Sequence, residues 1–109
     1  MEILLYELDT LTIKSTIKLK KIKGIYLIDG YDSGKTVRDV FGGFGYEYSI
    51  KFNENEIRKL DGFLDSNNDS FMKKWIAKYI DDPKCFSKIK TQLDIKGIKY
   101  EYFSWRDAD

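Results

Sequence analysis

Ser33-Gly34-Lys35-Thr36 has the residue types that could cradle a phosphate, because it follows an apolar run and leads into a helical pattern. In a P-loop, backbone N–H groups of a Gly-rich turn wrap the phosphates, a lysine reaches them, and a Ser or Thr hydroxyl holds magnesium. The spacing fails here. The motif needs a glycine five positions before Gly34, where Asp29 stands, and a magnesium-binding acid on a later strand, which this short chain lacks. A Gly-flanked loop with Thr36 capping a short helix accounts for the same residues. Gly42-Gly43-Phe44-Gly45 precedes a strand pattern instead of following one, so it reads as a tight turn or bulge and not as a dinucleotide fingerprint. The acidic run Asp65-Ser66-Asn67-Asn68-Asp69 has Ser70 and Ile76 where a calcium loop needs glycine and a bidentate glutamate, and reads as a capped turn between helices.

The remaining routes to catalysis are equally thin. The chain has no histidine, which removes the usual general base, the Ser-His and Cys-His pairs and the commonest zinc ligand. Cys85 has no identifiable base beside it and lies on or beside a helical apolar stripe, the place of a small core residue. Asp29, Asp32 and Asp39 could form a carboxylate pair, but with 18 acids in 109 residues such clustering is expected by chance. These failures point to a protein that is not an enzyme and needs neither metal nor cofactor nor small-molecule substrate.

Two surfaces suit binding instead. The first is a loop expected from Asp29 to Asp39, whose Asp29, Tyr31, Asp32, Lys35 and Asp39 would meet a partner protein, since loops on a rigid sheet often carry function and tyrosine suits interfaces. The second is the run from residue 10 to 28, in which Lys14, Lys18, Lys20, Lys21 and Lys23 occur with no acid among them and the first three share one strand face. A solvated edge strand kept soluble by lysine explains that run most simply; a patch for a phosphate backbone or an acidic protein is the sharper alternative. The whole-chain charge of +1 supplies no strong field toward nucleic acid or an anionic membrane.

The elements that must position these residues follow from hydrophobic period. Ile3 and Leu5, then Leu11, Ile13, Ser15, Ile17 and Leu19 alternate with polar neighbours, and Ile25-Tyr26-Leu27-Ile28 follows the turn signal Lys23-Gly24. Asp29-Gly30 is expected to end that third strand. Thr36 and Asp39 resemble a capping box for a short helix with Val37, Val40 and Phe41, closed by Gly42-Gly43. Phe44, Tyr46, Tyr48, Ile50 and Phe52 form one strand face aimed at helices that come next. Asn53 caps a helix with Ile57, Leu60, Phe63 and Leu64; Phe71, Met72, Trp75, Ile76, Tyr79 and Ile80 mark a second. Asp82-Pro83 opens a third that ends at Lys96-Gly97, and a last strand covers 98–105. The expectation is a single α+β domain over 1–109: a mainly antiparallel sheet of about five strands with helices on one face, in the order βββ-α-β-ααα-β.

The start of the chain has neither the basic n-region nor the long apolar core of a signal peptide, and no run of about 18 apolar residues occurs. With a lone cysteine, the expected compartment is the cytoplasm, where the sequon Asn68-Asp69-Ser70 stays unmodified.

The run Tyr26 to Asp29, the Ser33-Gly34 loop end, Val37-Arg38-Asp39-Val40, Gly43-Phe44-Gly45-Tyr46-Glu47-Tyr48 and Asn53-Glu54-Asn55-Glu56-Ile57 together resemble the small immunity proteins of bacterial contact-dependent growth inhibition and related toxin systems. The resemblance covers the central third to half of the chain. It implies a cytoplasmic inhibitor that binds a cognate toxin domain, often a nuclease, and blocks its active site or an essential surface. Many nuclease-neutralising members are acidic whereas this chain is nearly neutral, so charge complementarity would be local. The alternative is a small nucleic-acid-binding or phage-borne regulatory module using Lys14, Lys18 and Lys20.

Overall fold

A computed structural model describes residues 1–43, 45–64 and 67–106, with the backbone alone for Phe41. Five strands form one antiparallel sheet in the order of the sequence: β1 (Glu2–Asp9), β2 (Lys14–Ile22), β3 (Ile25–Ser33), β4 (Gly45–Asn53) and β5 (Glu101–Arg106). Helix α1 (Lys35–Phe41) links β3 to β4. A 3₁₀ turn (Glu54–Lys59), α2 (Asn68–Ile76), a second 3₁₀ turn (Ala77–Tyr79) and α3 (Cys85–Ile95) fill the connection from β4 to β5 and cover one sheet face. The α+β architecture is the one expected, except that the first of the three expected helices is a 3₁₀ turn.

The hairpin between β2 and β3 closes in two residues, Lys23 and Gly24, both at positive φ. That is the backbone of the primed turns whose twist matches paired strands, and it sets Ile22 opposite Ile25. From this register, Ile17 and Leu19 of β2, Tyr26 and Ile28 of β3 and Ile50 and Phe52 of β4 fall on one face. They are buried against Ile57, Leu60, Met72, Ile76, Tyr79, Cys85, Ile89, Leu93 and Ile98. The aromatic stripe of β4 runs as expected from Tyr46 to Phe52, with Phe44 outside the described residues.

Leu11, expected in a strand, is fully exposed in the turn before β2, where the Thr10 N–H donates to Ile13 O. β1 does not alternate cleanly, because a bulge between Leu4 and Tyr6 turns both Leu5 and Tyr6 toward the helices. The carbonyl of Leu5 then accepts from Asp81 N at 2.7 Å, fastening β1 to the turn before α3.

β3 does not stop at Asp29-Gly30 but continues to Ser33, paired to both neighbours throughout. The glycine belongs in the strand because the ring of Tyr48, directly opposite, lies over it: a Cβ at Gly30 would fall 2.0 Å from Tyr48 Cε2. The capping box is also absent. Gly34 precedes α1 without any side-chain cap, and Thr36 N donates to Thr12 O at 2.9 Å. A Cβ at Gly34, whose φ is 112°, would meet that same Thr12 carbonyl at 2.7 Å.

The helix layer starts where polar side chains can accept the first backbone donors. Asn53 accepts from Asn55 N and Asn67 from Ser70 N, so α2 begins inside the polar run, whose Asp65 and Ser66 lie outside the described residues. Asp82 accepts from Lys84 N, which delays α3 to Cys85. Gly97, at φ 68°, ends it. Ile98 is buried before β5 begins at Glu101.

Candidate functional site

Among the described residues, the helix layer between β4 and β5 leaves the other face of the sheet largely uncovered. Strand register places Leu4, Lys18, Asp29, Ser49 and Phe103 in one row across it, and Glu7, Thr16, Tyr31, Glu47 and Trp105 in the next. On the other side of the first row lie Glu2, Lys20, Leu27, Lys51 and Glu101. Three half-exposed aromatics thus stand on this face, Tyr31 at 39%, Phe103 at 55% and Trp105 at 52% of full exposure.

The lysines expected to share a face do share it, but they are not a bare cationic patch. Lys18 Nζ is 3.2 Å from Glu2 Oε1 and Lys20 Nζ 3.4 Å from Asp29 Oδ2; Lys14 lies opposite Asp9 in the β1–β2 ladder. Nor is their strand an edge, since β2 is flanked by β1 and β3. Acids from both neighbours interleave with the lysines, and Lys51 pairs with Glu101 at 3.2 Å further along. Exposed pairs of this kind add little stability. Their arrangement instead gives the face a fixed chequer of opposite charges around its aromatics.

The candidate partner-binding loop is divided by the extension of β3. Asp29 and Tyr31 lie on the bare face, whereas Asp32 projects to the helix side, because side chains three apart in a strand take opposite faces. There Asp32 Oδ1 accepts from Ser15 Oγ at 2.6 Å and from Tyr48 Oη at 3.0 Å. Burial, then the nearby Asp32 charge, pushes the Tyr48 hydroxyl well above the usual tyrosine range, which keeps it a donor. Asp32 is therefore an internal bracket between β2, β3 and β4. The same alternation separates Asp29 from Asp32, so the two do not make a carboxylate pair. Lys35 and Asp39 are exposed on α1, beyond the end of β3.

A second polar cluster fastens the helix layer to the hairpin end. Lys21, unlike Lys18 and Lys20, lies on the covered face, with Nζ 2.7 Å from Glu54 Oε2 and 2.9 Å from Asp69 Oδ1. Tyr26 Oη donates to Asp69 Oδ1 at 2.7 Å and Asn68 Nδ2 to Glu54 Oε2 at 3.1 Å. The hydrogen bonds from Lys21 hold both carboxyls below the usual range, while those to Glu54 and then Asp69 hold the Lys21 ammonium above its own. The cluster joins β2, β3, the 3₁₀ turn and α2, and has a structural task.

Cys85 is fully buried, and burial pushes its thiol up to about 11, so it is an inert core residue at neutral pH. Among the described residues no group of three or more His, Cys, Asp or Glu could hold a metal ion, and no helix is long and apolar enough to cross a membrane. A hollow of about 590 Å³ borders the bare face, lined by Ile22, Ile25, Leu27, Lys51 and Tyr100 among others, and extends its apolar surface toward the hairpin end.

Phe103 and Trp105 are the residues that sequence reasoning missed as binding candidates. Their strand was expected, but its aromatics fall on both parities, Tyr102 on one face and Phe103 and Trp105 on the other. That pattern is the signal, since a strand with one wet face does not repeat aromatics on both. No protein-family model, curated protein or solved structure matches the chain.

Proposed function

We propose that this chain is an immunity protein that neutralises a cognate toxin domain by stoichiometric binding in the cytoplasm. The observation that supports this reading is the bare antiparallel face on which Tyr31, Phe103 and Trp105 stand half-exposed between fixed ion pairs. Aromatic anchors surrounded by charged residues are what protein interfaces favour, and a hydrogen-bonded sheet presents them without much ordering on binding. The alternating charges provide the local complementarity that a near-neutral chain needs to select one partner. A toxin with the inverse arrangement, apolar pockets separated by charges of both signs, would be the match. The nucleic-acid reading loses ground because Lys18 and Lys20 already face acids.

Co-expression with the toxin encoded beside this gene is the test. The expected result is restored growth and a one-to-one complex. Trp105→Ala should weaken that complex by about 2 kcal/mol or more, roughly 30-fold. Unprotected cells together with no isolable complex would refute the reading. Retained affinity in a Trp105→Ala, Phe103→Ala double variant would move the interface elsewhere.

A further inference from the structure

The two edges of the sheet are treated differently. β1, at one edge, is blunted by its bulge at Leu4/Tyr6 and by the acids Glu2, Glu7 and Asp9, the usual means of discouraging another strand from pairing there. β5, at the other edge, has no bulge, no proline and no lysine, and its register with β4 is unbroken from Glu101 to Arg106. Each of its residues is exposed, including Tyr102, Phe103 and Trp105. An unguarded, aromatic-rich edge is a template for a further strand.

We infer that β5 pairs antiparallel with β5 of a second copy of this chain, joining two sheets into one. Its residues suit their own reversed image, because the charged residues stand at its two ends, Glu101 and Arg106, and leave the uncharged stretch from Phe103 to Trp105 to meet itself. A two-fold axis perpendicular to a continuous sheet keeps the same face upward in both copies. Opposed residues then share parity, and the axis must pass through a residue. With the axis at Ser104, each Phe103 faces the other copy's Trp105 on the bare side, which makes two aromatic pairs, and the smallest side chain of the strand sits at the centre. With the axis at Phe103, Trp105 would face Glu101 instead. The Ser104 register is therefore favoured, and it turns both bare faces to the same side.

Half of the roughly 150–250 Å² that each aromatic can bury gives about 220–380 Å² per copy from these three rings. With backbone added this still falls below the roughly 800 Å² per partner of a standard interface. The dimer is accordingly weak, with a dissociation constant from about 1 μM to 1 mM.

The inference stands apart from toxin binding, because it is tested on the purified chain alone. Sedimentation from about 10 μM to 1 mM should show the apparent mass rising toward twice the monomer, and Phe103→Lys should weaken association about tenfold or more. Ser104→Cys should form an intermolecular disulfide under mild oxidation, because residues opposed at the axis lie within disulfide reach. Cys85 is buried and will not compete. Circular dichroism of both variants confirms that they fold. A chain still monomeric at about 1 mM overturns the inference. So does a dimer whose Ser104→Cys variant fails to cross-link, or an edge whose amides are protected from hydrogen exchange only when another protein is added.

Discussion

Replacing Gly30 by alanine tests the central claim that β3 runs through its Asp-Gly pair because Tyr48 occupies the glycine's missing side chain. The added Cβ would lie 2.0 Å from Tyr48 Cε2, 2.4 Å from Cζ and 2.7 Å from Cδ2, and the methyl has no room beside the ring. The ring must leave, breaking its hydroxyl bond to Asp32 at 3.0 Å and its edge contact with Phe86 at 4.7 Å between centroids. Overpacking costs about 1–3 kcal/mol and a hydrogen bond to a charged group about 1.5–3 kcal/mol, while alanine returns about 0.4–1 kcal/mol through the unfolded chain. The net destabilisation is about 2–5 kcal/mol, or a fall of about 10–20 °C in Tm for a chain of this size. Urea unfolding of four proteins isolates the cause: wild type, Gly30→Ala, Tyr48→Ala and the double variant. In the Tyr48→Ala background the methyl has space, and Gly30→Ala should be neutral or slightly stabilising. A loss under about 1 kcal/mol in wild type, or an equal loss in both backgrounds, would refute the reasoning.

Acid should erode stability through Glu54 and Asp69. Their folded pKa values are lowered by Lys21, so their contribution is present above the ordinary carboxylate range and is lost as pH falls through the folded values, below about pH 4. Lys21→Met should flatten that acid limb in urea midpoints, and an unchanged limb would count against the cluster. Lys21 itself, raised by the same partners, contributes below the ordinary lysine pKa of about 10.4 and loses this only at still higher pH. The Cys85 thiol, buried and pushed up to about 11, should react with a thiol reagent only as fast as the protein opens; fast labelling at neutral pH would show the core packing to be wrong. Trp105→Ala should leave unfolding stability within about 1 kcal/mol because the ring is half-exposed, whereas Asp32→Asn should lower stability by about 1–2 kcal/mol and leave toxin affinity unchanged. A reversal of that contrast would place the interface on the wrong side of the sheet.

Strand identity was legible wherever alternation was clean, as in β2 from Lys14 to Leu19 and β4 from Tyr46 to Phe52. Helix positions were legible from stripes at spacings of three and four, and the core residues Met72, Ile76, Ile89 and Leu93 fall on them. What escaped depended on contacts between distant segments. Asp29-Gly30 has the composition of a turn, and only the ring of Tyr48 from β4 explains a glycine inside a central strand. The shift of β1 at Leu5 and Tyr6 comes with a backbone hydrogen bond from the distant Asp81. Thr36 and Asp39 had the spacing of a capping box, but the turn at Thr12 already accepts the Thr36 N–H, which the sequence of α1 cannot reveal. The candidate site was divided for the same reason: five residues grouped in one expected loop lie on two faces of a strand and on a helix once β3 is extended.

That division also determines how the protein can change. Along β3, Tyr26, Ile28, Gly30 and Asp32 meet the helix layer or the Ser15 and Tyr48 side chains, while Leu27, Asp29 and Tyr31 face outward. Substitutions on the inner parity disturb packed or bonded neighbours and act first on stability. Those on the outer parity alter a surface whose ion pairs are individually weak. On the proposed reading, a toxin-binding surface built on the outer parity can diverge to follow a changing partner while the fold beneath it stays the same. The loop expected from the sequence would have separated the two requirements less cleanly, because each change there would also alter how the chain is ordered on binding.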